Sequence, residues 1–143
     1  LVVVANFIRT NRYLLKTLAP YGAVAIYGEV SPKDKQAALH RFINDASCRV
    51  LVIQPQSAGI GVDGLQHVCA DMLFLEAPSK APAFHQTAAR LDRDGQVNPV
   101  HCRVAIASGT VQVRMFKKLL DNDETINAIQ GGYEDLKEAI FGD

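Results

Sequence analysis

A chain of 143 residues is long enough to bury one proper core and is expected to form a single domain over residues 1–143. Its 15 Lys and Arg balance 15 Asp and Glu, which excludes a global basic field and leaves only local arrangements for contact with nucleic acid. The longest apolar runs, such as Leu1-Val2-Val3-Val4-Ala5, are far too short to cross a bilayer, so no membrane contact is expected.

The chain opens in that strand-like run without an initiator Met or a visible signal peptide, which predicts an excised piece of a longer intracellular protein, cytoplasmic or nucleoid/nuclear. Cys48, Cys69 and Cys102 are odd in number, form no Cys-x-x-Cys pair and sit in or beside apolar runs, so reduced, structural thiols are expected. His40, His67, His85 and His101 lack metal-ligand spacing, and no metal site is expected.

Leu1 to Phe7 reads as a buried, Val-rich strand of a parallel sheet. Asn11 is a candidate cap for a helix through about Leu18, ended by Pro20-Tyr21-Gly22. Ala23 to Tyr27 reads as a second strand. Ser31-Pro32, with Asp34 in the first turn, starts a helix to about Asn44 that turns Ala38, Phe42 and Ile43 inward. Arg49 to Ile53 and Asp71 to Leu75 are the third and fourth strands, Lys80 to Asp94 a helix, and Val100 to Ala107 a fifth strand. Gly109-Thr110 opens a helical pattern through about Asn127, and Tyr133 to Phe141 reads as a terminal helix after Gly131-Gly132. Strands alternating with helices predict a three-layer α/β fold, its mostly parallel sheet covered on both faces. Ligands bind such sheets beyond the carboxyl ends of the strands, where the loops after Phe7, Tyr27, Ile53 and Leu75 emerge.

Two segments carry chemistry. On a helix over Lys80–Asp94, Ala81, Phe84, Ala88 and Leu91 share an apolar face while Gln86, Arg90 and Arg93 share the opposite one, with Gly95 placed for a left-handed stop. Two guanidinium forks one turn apart suit a multi-oxygen anion such as phosphate. The same pattern also describes a solvated helix face whose arginines pair with Asp92 and Asp94.

The second segment is Ser57-Ala58-Gly59-Ile60-Gly61-Val62-Asp63-Gly64. Its glycines satisfy the Gly-x-Gly-x-x-Gly spacing of a dinucleotide loop, but the context does not support that reading. Several residues separate them from the strand, and only Leu65 to Ala70 remain before the next one, too few for the helix on which a pyrophosphate would sit. Asp63 at this edge can accept a ribose hydroxyl, bind a neighbouring cation, or cap the short turn after it. The chain has no Gly-x-x-x-x-Gly-Lys-Ser/Thr phosphate loop and no Asp-Glu pair ending a strand; Asp121-Asn122-Asp123-Glu124 reads as a solvated acidic face, and Glu76 ends its strand alone.

Gln86-x-x-x-Arg90-x-x-Arg93-x-Gly95-Gln96 resembles motif VI of superfamily 2 helicases and translocases, specifically the Swi/Snf-like group. Ser57 to Asp63 resembles motif V, and Val3-Val4-Ala5-Asn6-Phe7 resembles motif IV. Tyr27-Gly28-Glu29-Val30-Ser31 through Phe42 is similar to the segment after motif IV, with Lys35 where Arg is common. Gly109-Thr110-Val111 matches the opening of the last helix. Order and spacing agree over roughly residues 1 to 125.

The resemblance implies the second, C-terminal RecA-like domain of a two-domain motor that uses ATP with Mg²⁺. The metal and phosphate loop would belong to an N-terminal RecA-like domain of the same protein. By position, Arg93 would be the arginine finger and Arg90 its phosphate-binding or orienting partner. Gly61 and Asp63 would approach ribose, and Gln86 would help arrange the interdomain site. Asn6, Gln56 and Ser57 are the candidates for gripping nucleic acid, with DNA the expected track. Gln54-Pro55 departs from the Ser-Thr pair expected before motif V, Ala58 stands for a glycine, and Ala89 replaces an Asp or Gly. The isolated chain is expected to lack ATPase activity. A non-catalytic RecA-like interaction or regulatory module is the alternative.

Overall fold

Five segments become strands: β1 Val2–Val4, β2 Val24–Ile26, β3 Leu51–Ile53, β4 Asp71–Phe74 and β5 His101–Val104. In the computed structural model, which describes residues 1–57, 62–76 and 80–121, they form one wholly parallel sheet in the order β2-β3-β1-β4-β5. Val3 lies opposite Val52 on one side and Leu73 on the other, so the first strand in sequence is the central one.

Parallel neighbours cannot be joined by hairpins, and helices make the crossovers. These are α1 Ile8–Thr17, α2 Pro32–Asn44 and α3 Ala81–Ala88, with α4 Val111–Asp121 after β5. Between β3 and β4 the described residues carry the 3₁₀ turns Pro55–Ser57 and Leu65–His67.

Alternation along the strands builds two cores. Val2, Val4, Leu51, Ile53, Met72 and Phe74 point to the face covered by Leu39 and Phe42 of α2 and by Leu91. Val3, Ala25 and Val52 point to the opposite face, where α1 covers them with Leu14. Helix α4 seats Phe116, Leu119 and Leu120 against Ala81, Phe84, Val104 and Ile106. The architecture is the expected three-layer α/β fold.

Ser31 caps α2 as expected, its hydroxyl accepting the Asp34 N–H at 3.1 Å, with Pro32 at the first helical position. Other expectations need correction. Asn11 does not cap a helix. It sits inside α1, fully buried, and its Nδ2 donates to the carbonyls of Ala5 and Phe7, both at 2.9 Å. Cys102 is exposed on the edge strand β5 rather than structural, while Cys48 is buried and that burial pushes its thiol pKa up.

The largest difference is the helix expected over Lys80–Asp94, which ends at Ala88. There the bonding tightens, Arg90 N–H reaching Thr87 O at 3.1 Å and Leu91 N–H reaching Ala88 O at 3.0 Å. Thr87 turns its hydroxyl back onto Ala83 O at 2.7 Å. Asp92, Asp94 and Gly95, poor helix formers, follow. The last helix is described to Asp121; its expected extension to Asn127, the rest of the acidic stretch and the expected Tyr133–Phe141 helix lie outside the described residues.

Candidate functional site at the carboxyl edge of the sheet

Because every strand runs the same way, the loops after β1, β2, β3 and β4 share one edge, where a ligand is met by loops rather than regular elements. Both motif arginines turn towards the glycine loop. Arg90 donates from Nη1 to the carbonyl of Val62 at 3.2 Å, and Arg93 donates from Nη1 to Asp63 Oδ1 at 2.9 Å. Asp63 also accepts the N–H of Gly64 at 2.9 Å. The arginines thus join the segment after α3 to the segment after β3. The ion pair of Arg93 is with Asp63, not with Asp92 or Asp94.

The side chains of this pair are 43% and 71% exposed, so it contributes about 1 kcal/mol or less. A pair that weak can be exchanged for a better anion. One N–H of the Arg93 fork is committed to Asp63, and a guanidinium has five. The position of Arg93 rests more on packing. Leu91, between the two arginines, is 0% exposed and belongs to the sheet core.

Downstream, Gln96 donates from Nε2 to Cys69 O at 2.9 Å and Leu91 O at 3.2 Å, tying the turn to the segment that enters β4. Gly95 has φ +95°, the left-handed geometry expected of a stop, but it ends this turn rather than a helix. A Cβ there would run into the His67 ring.

Gln86, Arg90 and Gln56 are brought together around a cleft of about 190 Å³, floored by Ile53, Pro55, Ala83 and Thr87. Ser57 faces a second cleft of about 260 Å³ with Lys35, Gln36 and Val62. The three nucleic-acid candidates therefore divide, Gln56 towards α3 and Ser57 towards α2. Asn6 lies between β1 and β4, its Nδ2 donating to Glu76 O at 3.3 Å. Gly61 lies outside the described residues, although its neighbour Val62 is buried.

Two residues at this edge were not singled out for what they do. Gln54 donates to Asn6 O at 2.9 Å and accepts from Gly28 N–H at 2.9 Å and Ser57 Oγ at 3.1 Å. One amide thereby ties the loops after β1, β2 and β3. Glu76 accepts from the backbone N–H groups of Asn6 and Phe7, at 2.6 and 3.1 Å, and from Thr10 Oγ1 at 2.6 Å. The signal was a polar side chain ending an apolar strand, where an amide or carboxylate can reach adjacent loops. Among the described residues, no three His, Cys, Asp or Glu side chains cluster as metal ligands would, and no helix is long and apolar enough to cross a membrane.

No family model matches the chain. It is 28% identical over 139 residues to the DNA repair and recombination protein RAD54-like of Drosophila ananassae, and 30% identical over 138 residues to the protein of that name from Drosophila erecta. Each alignment covers 87% of this chain, and the chain spans about 17% of the length of these curated relatives. The fold is similar to the solved C-terminal part of the Fun30 ATPase domain. That match has a TM-score of 0.73 at 16% identity and covers 99% of this chain and 47% of that one.

Proposed function

We propose that this chain, a C-terminal RecA-like domain of the Swi/Snf-like group of superfamily 2 helicases and translocases, supplies half of an ATP site completed by an N-terminal RecA-like domain of the same protein. It is a helicase-like motor domain by sequence and fold, and the site is the finer reading. The observation that carries it is the convergence of Arg90 and Arg93 on the Val62–Asp63 edge from a segment plugged into the core by Leu91.

In this reading Arg93 exchanges Asp63 for the γ-phosphate and places a rigid cationic fork where charge develops in the transition state, the work of an arginine finger. Arg90, anchored to Val62 O, holds its neighbour in place and meets the phosphates. Released from Arg93, Asp63 accepts from a ribose hydroxyl, Gly61 is assigned to the same ribose, and Gln86 completes the wall towards the partner domain. These groups suit a nucleotide, being paired guanidinium donors beside one carboxylate acceptor. ATP supplies the transferable phosphoryl group, and Mg²⁺ is assigned to the N-terminal domain.

Nucleic acid, in particular DNA as the relatives' name suggests, would cross the same edge, held by backbone contacts near Asn6, Gln56 and Ser57. A nuclear or nucleoid place of action accords with that. Gln54 spends its amide on the surrounding loops, so it orders this grip instead of forming it.

In the full-length protein, Arg93→Ala is expected to lower ATP turnover by about 10³-fold or more with the fold intact. Near-normal turnover in that variant would sink the assignment and leave the non-catalytic module, in which the arginines only lock the loop. The isolated chain is expected to be inactive as an ATPase.

A further inference from the structure

The two motif arginines are tethered by different chemistry. Arg90 donates to a neutral backbone carbonyl, that of Val62, whereas Arg93 donates to a carboxylate, Asp63 Oδ1, at 2.9 Å. A carbonyl anchors a guanidinium without opposing a phosphate. A carboxylate occupies the fork with the same kind of charge that a phosphate carries.

Nearer acids are passed over. Asp92 and Asp94 flank Arg93 in its own turn, yet the ion pair is made with Asp63, 30 residues away. Both partners also stand on fixed mounts. Leu91, two residues before Arg93, is fully buried in the sheet core, and Asp63 lies between buried Val62 and the Gly64-Leu65 step, where Leu65 is fully buried in that core. Asp63 Oδ1 accepts Gly64 N–H at 2.9 Å as well, in a turn whose Gly64 has φ +89°. The same oxygen therefore holds one donor from its own turn, which stays, and one from Arg93, which can leave. An ordinary surface pair has two mobile ends; in this one only the side chains can swing.

We propose that Asp63 is a built-in competitor for Arg93, an autoinhibitory latch that holds the guanidinium until an oligophosphate displaces the carboxylate. The latch rests on the reading of Arg93 as the residue that meets the γ-phosphate, and it adds what regulates that residue. With the fork latched, the form able to take a phosphate is the minor one, and apparent affinity falls in proportion to its population. A pair as exposed as this one favours the latched form by about fivefold, which is the size of the brake. When the phosphate departs, the carboxylate recaptures the fork and returns Arg93 to one fixed place before the next nucleotide arrives. Arg90, tied to a carbonyl, is outside the latch.

The test is the rate at which phenylglyoxal modifies each arginine of the whole 143-residue chain, read by peptide mass spectrometry at low salt. The reagent is uncharged, so repulsion from Asp63 does not enter the rate. Asp63→Asn keeps the size of the side chain and removes its charge, and the position is exposed, so the circular dichroism spectrum should match the parent. Modification of Arg93 is expected to quicken about fivefold in this variant, and likewise in Asp63→Ala. Arg90 and the exposed Arg114 should react as in the parent. Tripolyphosphate, which has no ribose and so bypasses the other assignment of Asp63, should protect Arg93, and at a lower concentration in the variants. An unchanged Arg93 rate overturns the latch, because the carboxylate would not be holding the fork. Arg90 and Arg93 quickening together also overturns it, since the loop would merely have loosened. So does a failure of tripolyphosphate to protect Arg93 in the variants. The turnover of Arg93→Ala in the full-length protein is a separate readout: undiminished turnover removes the finger, whereas lost turnover beside an unchanged modification rate removes only the latch.

Discussion

Leu51, Val52 and Ile53 are gripped from every side, by a strand on each flank and a helical layer on each face, and none of the three is exposed. The segment Arg90–Gln96 touches the same core through the buried side chain of Leu91; side-chain bonds from Arg90, Arg93 and Gln96, a bond from Gln66 to the Asp94 carbonyl and the packing of Gly95 under His67 add to that hold. A strand so enclosed stores stability and can do little else. A turn held by one apolar plug and a few exchangeable polar bonds keeps its direction while leaving its guanidinium groups to choose partners. Stability and chemistry are thus assigned to neighbouring stretches built by opposite means.

The contrast can be broken first at the plug. Leu91→Ala should cost about 3 kcal/mol in urea unfolding, as deep core truncations do. A cost below about 1 kcal/mol would show the segment to be held by its polar bonds instead. Gly95→Ala comes next, at about 2 kcal/mol, since it combines a left-handed backbone with a collision against His67. Gly109→Ala is the reference, left-handed at φ +71° with nothing within 4 Å of the added Cβ, and should cost about 1 kcal/mol. Equal costs would remove His67 from the account. The smallest effect belongs to Asp63→Asn, expected to shift stability by less than about 1 kcal/mol because the pair is largely exposed. A larger loss would mean that the ion pair, and not Leu91, sets the position of Arg93.

The same contrast explains what could be read from the amino-acid sequence. Strands such as Val2–Val4 and Leu51–Ile53 announce themselves, because burial on both faces demands an unbroken apolar run. Ser31-Pro32 announced its helix through cap chemistry that is local. Arg90 and Arg93 were recognisable by spacing, and so was Gly95 by its need for positive φ. Their geometry was not, because a period fitting seven helical residues fits equally well a helix that ends at Ala88 and unwinds into tighter turns. Asn11 misled for a related reason. Asparagine favours caps on average, but here a buried amide satisfies two loop carbonyls from inside the helix. Gln54 and Glu76 were visible as residues but their roles were not, because their partners come from other loops, and no spacing along one chain encodes such contacts.

The position of β1 bears on how the chain comes to be folded at all. Val2 needs both Leu51 and Met72 as neighbours, so β1 has no partner until β3 is made, and no second one until β4 follows. Throughout that interval an apolar ribbon with two open edges is offered to whatever is near, including other copies of itself. Local helices such as α1 and α2 can form meanwhile, but the sheet closes late around β1. A protein with this order of strands is most vulnerable during synthesis, before its centre exists, and holdase chaperones should engage it there rather than after release.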